Sequence, residues 1–298
     1  INLNNWNYFK MRSGIFEYDP KNYLVQKENN FQIHFGIPLS MRDKLVAKVG
    51  IGTVNDDYFN NEVVISTDTN DNTKFNHIVI GIMREYNSLD NDQFPTSGFY
   101  SNINIQYIKG REKFISGSLT SETQNNIRDH QWLQIGLKNK FFIEASKKYS
   151  IALSTNIFYS FQNLFSTYKS TLLNAGVYSP TIETMTRFFP EYRSNQYLAA
   201  GMEHIFKVNI FIFGKASARI GGYVFAPIRQ IQTSQSNIPY YGPFFKKAYF
   251  IGASSLVFST PIGNISLILS YNERDNKNDS PWNISFNIGS IVFNKKNI

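Results

Sequence analysis

Few residue patterns in this sequence are suited to catalysis. No Gly-x-Ser-x-Gly motif occurs and no Asp is followed by Gly, so a serine nucleophile on a sharp turn has no visible position. The chain contains no cysteine, which excludes thiolate nucleophiles, thiolate zinc sites and disulfides. It also lacks a glycine-rich phosphate loop. The residues therefore predict no catalytic centre and no cofactor site within this chain.

Metal ligands are present, but their spacing is poor. Residues 68–72 read Asp-Thr-Asn-Asp-Asn and imitate the opening of a calcium loop, but Thr73 replaces the required glycine and Val79 replaces the bidentate Glu. We interpret this segment as a solvated loop. The histidines lie far apart, and none has a ligand partner two to four residues further on. The sequence therefore predicts no metal site.

The chain is basic, but its positively charged residues are not concentrated in one segment. The formal net charge is +8, yet the Lys and Arg residues are scattered and no run of five or six like charges occurs. Nucleic-acid-binding proteins cluster such charges on one face or along one element. We expect no nucleic-acid partner.

The elements that must position the polar residues are amphipathic strands. Residues 149–162 alternate apolar and polar side chains with period two, and residues 99–108 and 31–39 repeat the pattern. No segment approaches the run of about 18 to 20 apolar residues that a membrane helix needs. If the chain lies in a membrane, it must therefore form a β-barrel, which satisfies every backbone group by pairing strands.

The same pattern predicts about twelve strands along the chain. Connections at 40–43, 145–148, 207–208 and 261–263 are short, and they alternate with long polar ones, of which 163–195 is the longest. Short turns on one side and long loops on the other are typical of outer-membrane barrels. The predicted strands are residues 8–18, 23–39, 44–53, 75–86, 98–108, 130–144, 149–161, 196–206, 209–225, 247–260, 264–272 and 282–293.

The contents of the two strand faces favour a membrane barrel over a soluble one. In residues 209–225, Lys215 and Arg219 share a face, while Ile220 and Val224 lie on the opposite, apolar face. A membrane barrel needs this inside-out arrangement, with lipid outside and water or a plug inside. Aromatic residues near strand ends, including Trp132, would form interface girdles. A soluble β-sandwich or lipocalin-like barrel remains the alternative, because period-two alternation also describes a half-buried sheet.

Several short runs carry a family resemblance. They include Phe-Pro-Thr-Ser-Gly at 94–98, Tyr-Arg-Ser-Asn-Gln-Tyr-Leu-Ala at 192–199, Thr-Pro-Ile-Gly-Asn-Ile-Ser-Leu at 260–267 and Phe-Asn-Ile-Gly at 286–289, together with residues 68–73. In this order they resemble the C-terminal barrel of Bacteroidota outer-membrane patatin-like phospholipases. Those proteins are similar to type Vd autotransporters, whose barrel belongs to the BamA-like superfamily.

The resemblance implies that residues 1–298 are the C-terminal part of a longer outer-membrane protein. That family's barrel has about sixteen strands, so about four strands, a periplasmic module and the patatin domain would lie upstream. The implied function is to anchor, and in addition to translocate, a phospholipase domain that this chain does not contain. The alternative is an outer-membrane pore, or an accessory barrel of a secretion or assembly complex, with no enzyme attached.

The resemblance also implies two sets of site residues. Residues 163–195 correspond to the superfamily's long loop that enters the lumen, and Arg193 corresponds to its signature arginine, which pairs with acidic residues on the inner wall. Glu203 is the nearest candidate partner. The following strand offers Lys215, Ser217 and Arg219 where the family has an acid, which is a departure from its pattern.

The second set lies in the last strand, which resembles the signal read by the barrel assembly machinery. Its residues are Trp282, Phe286, Gly289 and Phe293. The trailing residues 294–298 depart from the usual terminal aromatic. The expected partners are therefore outer-membrane lipid, the assembly machinery and other outer-membrane complex subunits.

Overall fold

A computed structural model describes residues 2–8, 24–59, 67–91, 93–120, 126–181, 184–185, 187–210, 214–260, 263–276 and 280–289. These residues form fourteen strands, one short α-helix and a 3-10 turn at Pro190–Tyr192. The strands are β1 (Asn2–Tyr8), β2 (Leu24–Pro38), β3 (Asp43–Tyr58), β4 (Asp71–Asn87), β5 (Gly98–Ile115), β6 (Asn126–Ser146), β7 (Tyr149–Ser160), β8 (Gln196–Ile210), β9 (Gly214–Pro227), β10 (Arg229–Thr233), β11 (Pro239–Phe244), β12 (Tyr249–Thr260), β13 (Gly263–Asn272) and β14 (Trp282–Ile288), and the helix is α1 (Tyr168–Asn174).

Twelve of the strands build one antiparallel sheet. Its order is β1-β2-β3-β4-β5-β6-β7-β8-β9-β12-β13-β14, so each strand pairs with its sequence neighbour except where β10 and β11 form a separate hairpin. Residue pairing is continuous over long stretches, for example from Asp43↔Tyr86 to Tyr58↔Asp71 between β3 and β4. This up-and-down meander confirms the predicted all-β, antiparallel fold with twelve strands in the sheet.

The sheet has an apolar outer face. In β4, buried Phe75, His77 and Val79 alternate with exposed Ile78 and Ile80, as period-two side-chain alternation requires. The same inside-out pattern continues in the other long strands, and it is the arrangement of a barrel in lipid. The exposed outer face includes Phe31, Ile33, Phe35, Ile37, Ile51, Ile78, Ile80, Ile82, Ile103, Ile105, Leu133, Ile135, Phe141, Ile143, Leu153, Ile157, Leu198, Met202, Phe206, Ile220, Val224, Phe250, Leu256, Leu267, Leu269, Ile284 and Phe286.

The segment of residues 161–195, here called the lumen loop, folds against the inner face. Its Asn174 bonds Asp56 of β3, and its Tyr192 bonds the backbone carbonyl of Phe250 in β12. These two strands are far apart in the sheet order. One compact loop can contact both only if the sheet curves around it, so the sheet is rolled and its interior is occupied.

The alternation of short and long connections is confirmed with shifted boundaries. Residues 39–42 and 147–148 connect strands at one end, whereas the lumen loop and residues 228–248 lie at the other. The predicted turn at residues 207–208 is wrong, because Lys207 and Val208 lie inside β8 and pair with Ser217 and Ala216. Among the residues described, no helix is long and apolar enough to span a membrane.

Other sequence predictions need correction. The first predicted strand, residues 8–18, shares only Tyr8 with the observed β1, and most of it lies outside the described residues. Residues 226–246, predicted as one of the long polar connections, contain the hairpin β10–β11. Several strands also extend far beyond the predicted ends: β6, for instance, has 21 residues. Trp132 was expected in an outer girdle but is 3% exposed and faces inward.

Trp132 belongs to an aromatic cluster inside the sheet. Its ring stacks on Phe75 at a centroid distance of 5.6 Å, and Phe165 of the lumen loop meets Phe75 edge to face at 5.2 Å. Val54, Val79 and Ile108 complete the cluster. Since Phe165 has no exposed surface, this contact fixes the start of the lumen loop to the wall.

We expect Phe165→Ala to lower the stability of the folded barrel. Removing a fully buried Phe side chain costs about 3 kcal/mol or more, because it loses both transfer energy and packing. The readout is the temperature at which the purified protein changes from compact to unfolded mobility in a detergent gel. Phe161→Ala is the matched control, because Phe161 is 56% exposed. Equal transition temperatures for the two variants would show that the aromatic cluster does not hold the loop.

Candidate functional site

The lumen loop contains one short helix, α1. Thr167 caps the helix: its side chain accepts a hydrogen bond from the backbone N–H of Ser170, and the Ser170 hydroxyl oxygen accepts one from the backbone N–H of Thr167. This capping box satisfies N–H groups that a helix leaves open at its start. Leu172 and Leu173 are buried, and Leu172 packs against Ile231 of the hairpin β10–β11. The helix is therefore held between the sheet interior and the hairpin.

Polar groups of β3 bind one side of the loop. The Asn174 amide donates to the Asp56 carboxylate at 3.0 Å, and the Gln26 amide of β2 donates to the other Asp56 oxygen at 2.8 Å. Tyr58 lies against Thr73 and Thr167 through its hydroxyl group. The wall residues are at most 1% exposed. Their partners in the loop are also buried, with Asn174 at 8% and Thr167 at 5% exposure. Asp56 and Tyr58 of the inner polar face thus each have a hydrogen-bond partner in the loop.

A buried carboxylate and imidazole bind the start of the loop. Glu112 of β5 and His130 of β6 approach to 2.7 Å, and both side chains are at most 3% exposed. The other Glu112 oxygen accepts a hydrogen bond from the backbone N–H of Ser166 at 2.8 Å. The His130 ring stacks on Phe165 at 4.7 Å. Neither residue was identified from the sequence, because they come from different strands and only the strand register brings them together.

The end of the loop is attached to the opposite side of the sheet. The Tyr192 hydroxyl donates to the backbone carbonyl of Glu273 at 2.8 Å, and Glu191 forms an ion pair with Arg274 at 3.1 Å. Arg274 also lies over the Phe189 ring, 4.7 Å from its centroid. Burial, and then the neighbouring Glu191 and Glu273 carboxylates, raise the pKa of Tyr192 above its ordinary value. Tyr192 therefore stays a neutral hydrogen-bond donor.

Arg193 lies inside this loop and stabilises its fold. Its guanidinium donates to the backbone carbonyls of Leu172 and Leu173, at 3.1 and 3.2 Å, and lies 4.6 Å from the centroid of the Phe188 ring. The two carbonyls belong to the last turn of α1, where a positive charge is favoured by the helix dipole. At 4% exposure, Arg193 closes the loop on itself.

Glu203 binds a different arginine from the one the resemblance implied. Its carboxylate accepts a hydrogen bond from Arg219 on the adjacent strand at 3.3 Å. The contacts described for Glu203 do not include Arg193, although both residues line one cavity. The resemblance implied an acid on the strand that follows β8, but Arg219 lies there, and the ion pair joins β8 and β9.

Arg219 also holds the turn at the other end of the sheet. Its second terminal nitrogen donates to the backbone carbonyls of Phe94 and Pro95, both at 2.8 Å. Within that turn, the Asp90 carboxylate accepts hydrogen bonds from Thr96 and from the backbone N–H of Ser97. Partial burial alone would raise the pKa of Asp90, but these hydrogen bonds outweigh it and lower the pKa below its usual value. The β4–β5 turn is thus folded inward and bound to the wall.

The last strand presents its proposed signal residues to the outside. Trp282 and Phe286 are 57% and 62% exposed and alternate with less exposed residues along β14. Gly289 follows β14 and has a φ of 86°, a conformation that side-chain-bearing residues rarely adopt. Phe293 lies outside the described residues.

The calcium-like segment joins two neighbouring loops. The Asp71 carboxylate accepts hydrogen bonds from the Gly117 backbone and the Thr120 hydroxyl, both at 2.7 Å, and Asp68 accepts one from Ser118 at 3.1 Å. These acidic residues therefore have hydrogen-bond partners in the protein. Within the described part of the chain, no group of three His, Asp or Glu residues could hold a metal ion.

No protein-family model and no curated protein matches the sequence. Among solved structures, the chain is similar to BamA from Haemophilus ducreyi lacking POTRA domains 1-3, with a TM-score of 0.53 and 15% sequence identity. The match covers 89% of this chain and 54% of that one, so the chain spans about half the length of the BamA chain it matches.

A second solved structure is the β domain of the Bordetella autotransporter BrkA. It gives a TM-score of 0.37 and 9% identity, and the match covers 89% of this chain and 88% of that one. A TM-score this low carries no argument about the fold. The similarity to BamA and the apolar outer face of the sheet agree, and the chain therefore has the fold of a bacterial outer-membrane β-barrel.

Proposed function

We propose that the chain anchors a longer polypeptide in the outer membrane and takes part in its translocation. The observation that carries this proposal is the lumen loop, which ties β3 to β12 through the sheet interior. A pore for free solute diffusion needs an open lumen. Here the interior is occupied by a folded and capped segment, which favours an anchor with a displaceable plug over an open pore.

We propose, from the resemblance, that the attached domain is a patatin-like phospholipase. This part of the proposal rests on the short runs at residues 94–98, 192–199 and 260–267 and on their order. It also implies that the twelve strands are completed to about sixteen by upstream strands. The residues of the present chain would then act mechanically, by holding and releasing the lumen loop.

The reading frame upstream of Ile1 and the surface location of its product test this proposal together. We expect a Gly-x-Ser-x-Gly motif and an Asp-Gly pair in the polypeptide that precedes Ile1. We also expect the attached domain to be cleaved by protease added to intact cells. An upstream polypeptide without these motifs would remove the phospholipase and favour the accessory-barrel alternative. A domain that stays protected in intact cells would contradict translocation.

We expect Arg193→Ala to loosen the lumen loop. The variant loses two charge-assisted hydrogen bonds to the end of α1, each worth about 1.5 to 3 kcal/mol. The temperature of the gel-mobility transition should fall by several degrees or more. Arg193→Lys is the control, because it keeps the charge but not the planar fork, and its transition should lie between wild type and Ala. An unchanged transition in the Ala variant would rule out the lock.

Double-mutant cycles separate the observed pairing from the one that the resemblance implied. Glu203→Gln and Arg219→Gln should be strongly non-additive in their effect on the transition temperature, because the two side chains bond directly. Glu203→Gln and Arg193→Gln should be nearly additive. Strong coupling between Arg193 and Glu203, with weak coupling to Arg219, would restore the family's pairing and contradict the geometry described above.

We propose further that β14 is read by the barrel assembly machinery. Its Trp282 and Phe286 face outward, where an assembly factor can contact them before the barrel enters the membrane. Phe286 pairs across the sheet with Leu267 of β13, which also faces outward. The two positions differ in strand but present similar apolar surface to lipid.

We therefore expect Phe286→Ser to reduce the amount of folded barrel in the outer membrane several-fold. Leu267→Ser is the matched control, since it removes a neighbouring apolar side chain from the same face without altering β14. The measurement is the heat-modifiable fraction in isolated outer membranes after brief expression. A similar loss in both variants would mean that only lipid contact matters and that β14 is not a signal.

A further inference from the structure

A cavity of about 240 Å³ lies between the lumen loop and the inner wall. Its volume corresponds to about eight water molecules, which is enough for a small solute. The wall side is formed by β6 and β7, and the loop side includes Tyr178, Ser179 and Thr184. Polar side chains that can bind a ligand and apolar ones, among them Phe142 and Met185, line the cavity together.

Two lysines give this cavity its charge. Lys138 and Lys140 line it from alternate positions of β6, the positions that follow inward-facing Trp132 and Gln134 with period two. Neither lysine is among the ion pairs found for the described residues. Their Cα atoms are about 7 Å apart along the strand, so the two like charges lie near each other and repel.

The other charged groups of the cavity are engaged elsewhere. Arg193 donates to the carbonyls at the end of α1, and Glu203, which lines the same cavity, bonds Arg219. The Glu203 carboxylate therefore forms its ion pair with Arg219 and not with either lysine. The lining carries an excess of positive charge, which an anion would neutralise.

We propose that this cavity binds a small anion bearing a phosphate or carboxylate group. The two ammonium groups would bind its charged oxygens. Across the β6–β7 pairing, Lys138 faces Asn156 and Lys140 faces Ser154, and both partners also line the cavity as additional donors. The volume admits a solute or a single headgroup but no folded segment. The anion would lie directly against the lumen loop and would stabilise its seated position.

Binding of inorganic phosphate to the full polypeptide, purified in a neutral detergent at low salt, tests this inference. We expect saturable binding by calorimetry, weakened at least tenfold in the double variant Lys138→Gln/Lys140→Gln. The double variant Lys147→Gln/Lys148→Gln changes two lysines at the turn of the same hairpin and should bind like wild type. A short-chain phosphatidylglycerol in the micelle, compared with phosphatidylcholine, distinguishes a lipid headgroup from a free anion.

A second measurement needs no variant and so does not depend on its folding. Phosphate should protect Lys138 and Lys140, but not Lys147, from acylation of the wild-type protein, as read by mass spectrometry. No saturable binding of either phosphate or the anionic lipid, or equal affinity in both double variants, would overturn the anion site. Uniform acylation of all three lysines with and without phosphate would do the same. None of these outcomes depends on whether a phospholipase domain is attached.

Discussion

The structure depends on one constraint: polar groups on the inner face of a membrane sheet must find partners without bulk solvent. Unpaired buried polar groups cost several kcal/mol, and buried charges cost more. Gln26, Asp56 and Glu112 lie on that face with at most 1% exposure. The lumen loop supplies the partners of the Asp56 and Glu112 carboxylates through Asn174 and the Ser166 backbone. Sheet and loop therefore require each other.

Two arginines, Arg193 and Arg219, make the contacts that the resemblance assigned to Arg193 alone. Arg193 donates to the carbonyls that end α1, within the loop. Arg219 instead satisfies Glu203 and binds the β4–β5 turn at the opposite end of the lumen. Arg219 on β9 thus places the ion pair within the wall and also binds a second segment that folds inward. Both ends of the interior are then occupied.

Period-two alternation predicted the sheet strands from β2 onward, because lipid outside and polar groups inside leave a clear pattern, as at Ile220 and Arg219. It missed most of β1 and the hairpin β10–β11. It could not fix the strand ends, because β5 and β6 continue beyond the apolar belt. There the exposed side chains are mostly charged, for example Arg111 and Asp129. The predicted girdle position of Trp132 failed for a related reason: an aromatic residue near a strand end serves an outer girdle or an inner cluster equally well. The pairing of Glu112 with His130 depends on register, which the sequence does not show.

The energetics of the loop bear on how such a barrel could work. Its attachments include the neutral hydrogen bond from Tyr192 to the Glu273 carbonyl, worth about 1 kcal/mol net, and the bond from Ser166 to the Glu112 carboxylate, worth about 1.5 to 3 kcal/mol. The ion pair between Glu191 and Arg274 adds to them. The aromatic contact of Phe165 adds a larger but local term. These attachments are separate from the contacts that fold the loop itself, which are the capping box at Thr167 and the Arg193 hydrogen bonds to the end of α1. Breaking the attachments therefore does not by itself unfold α1.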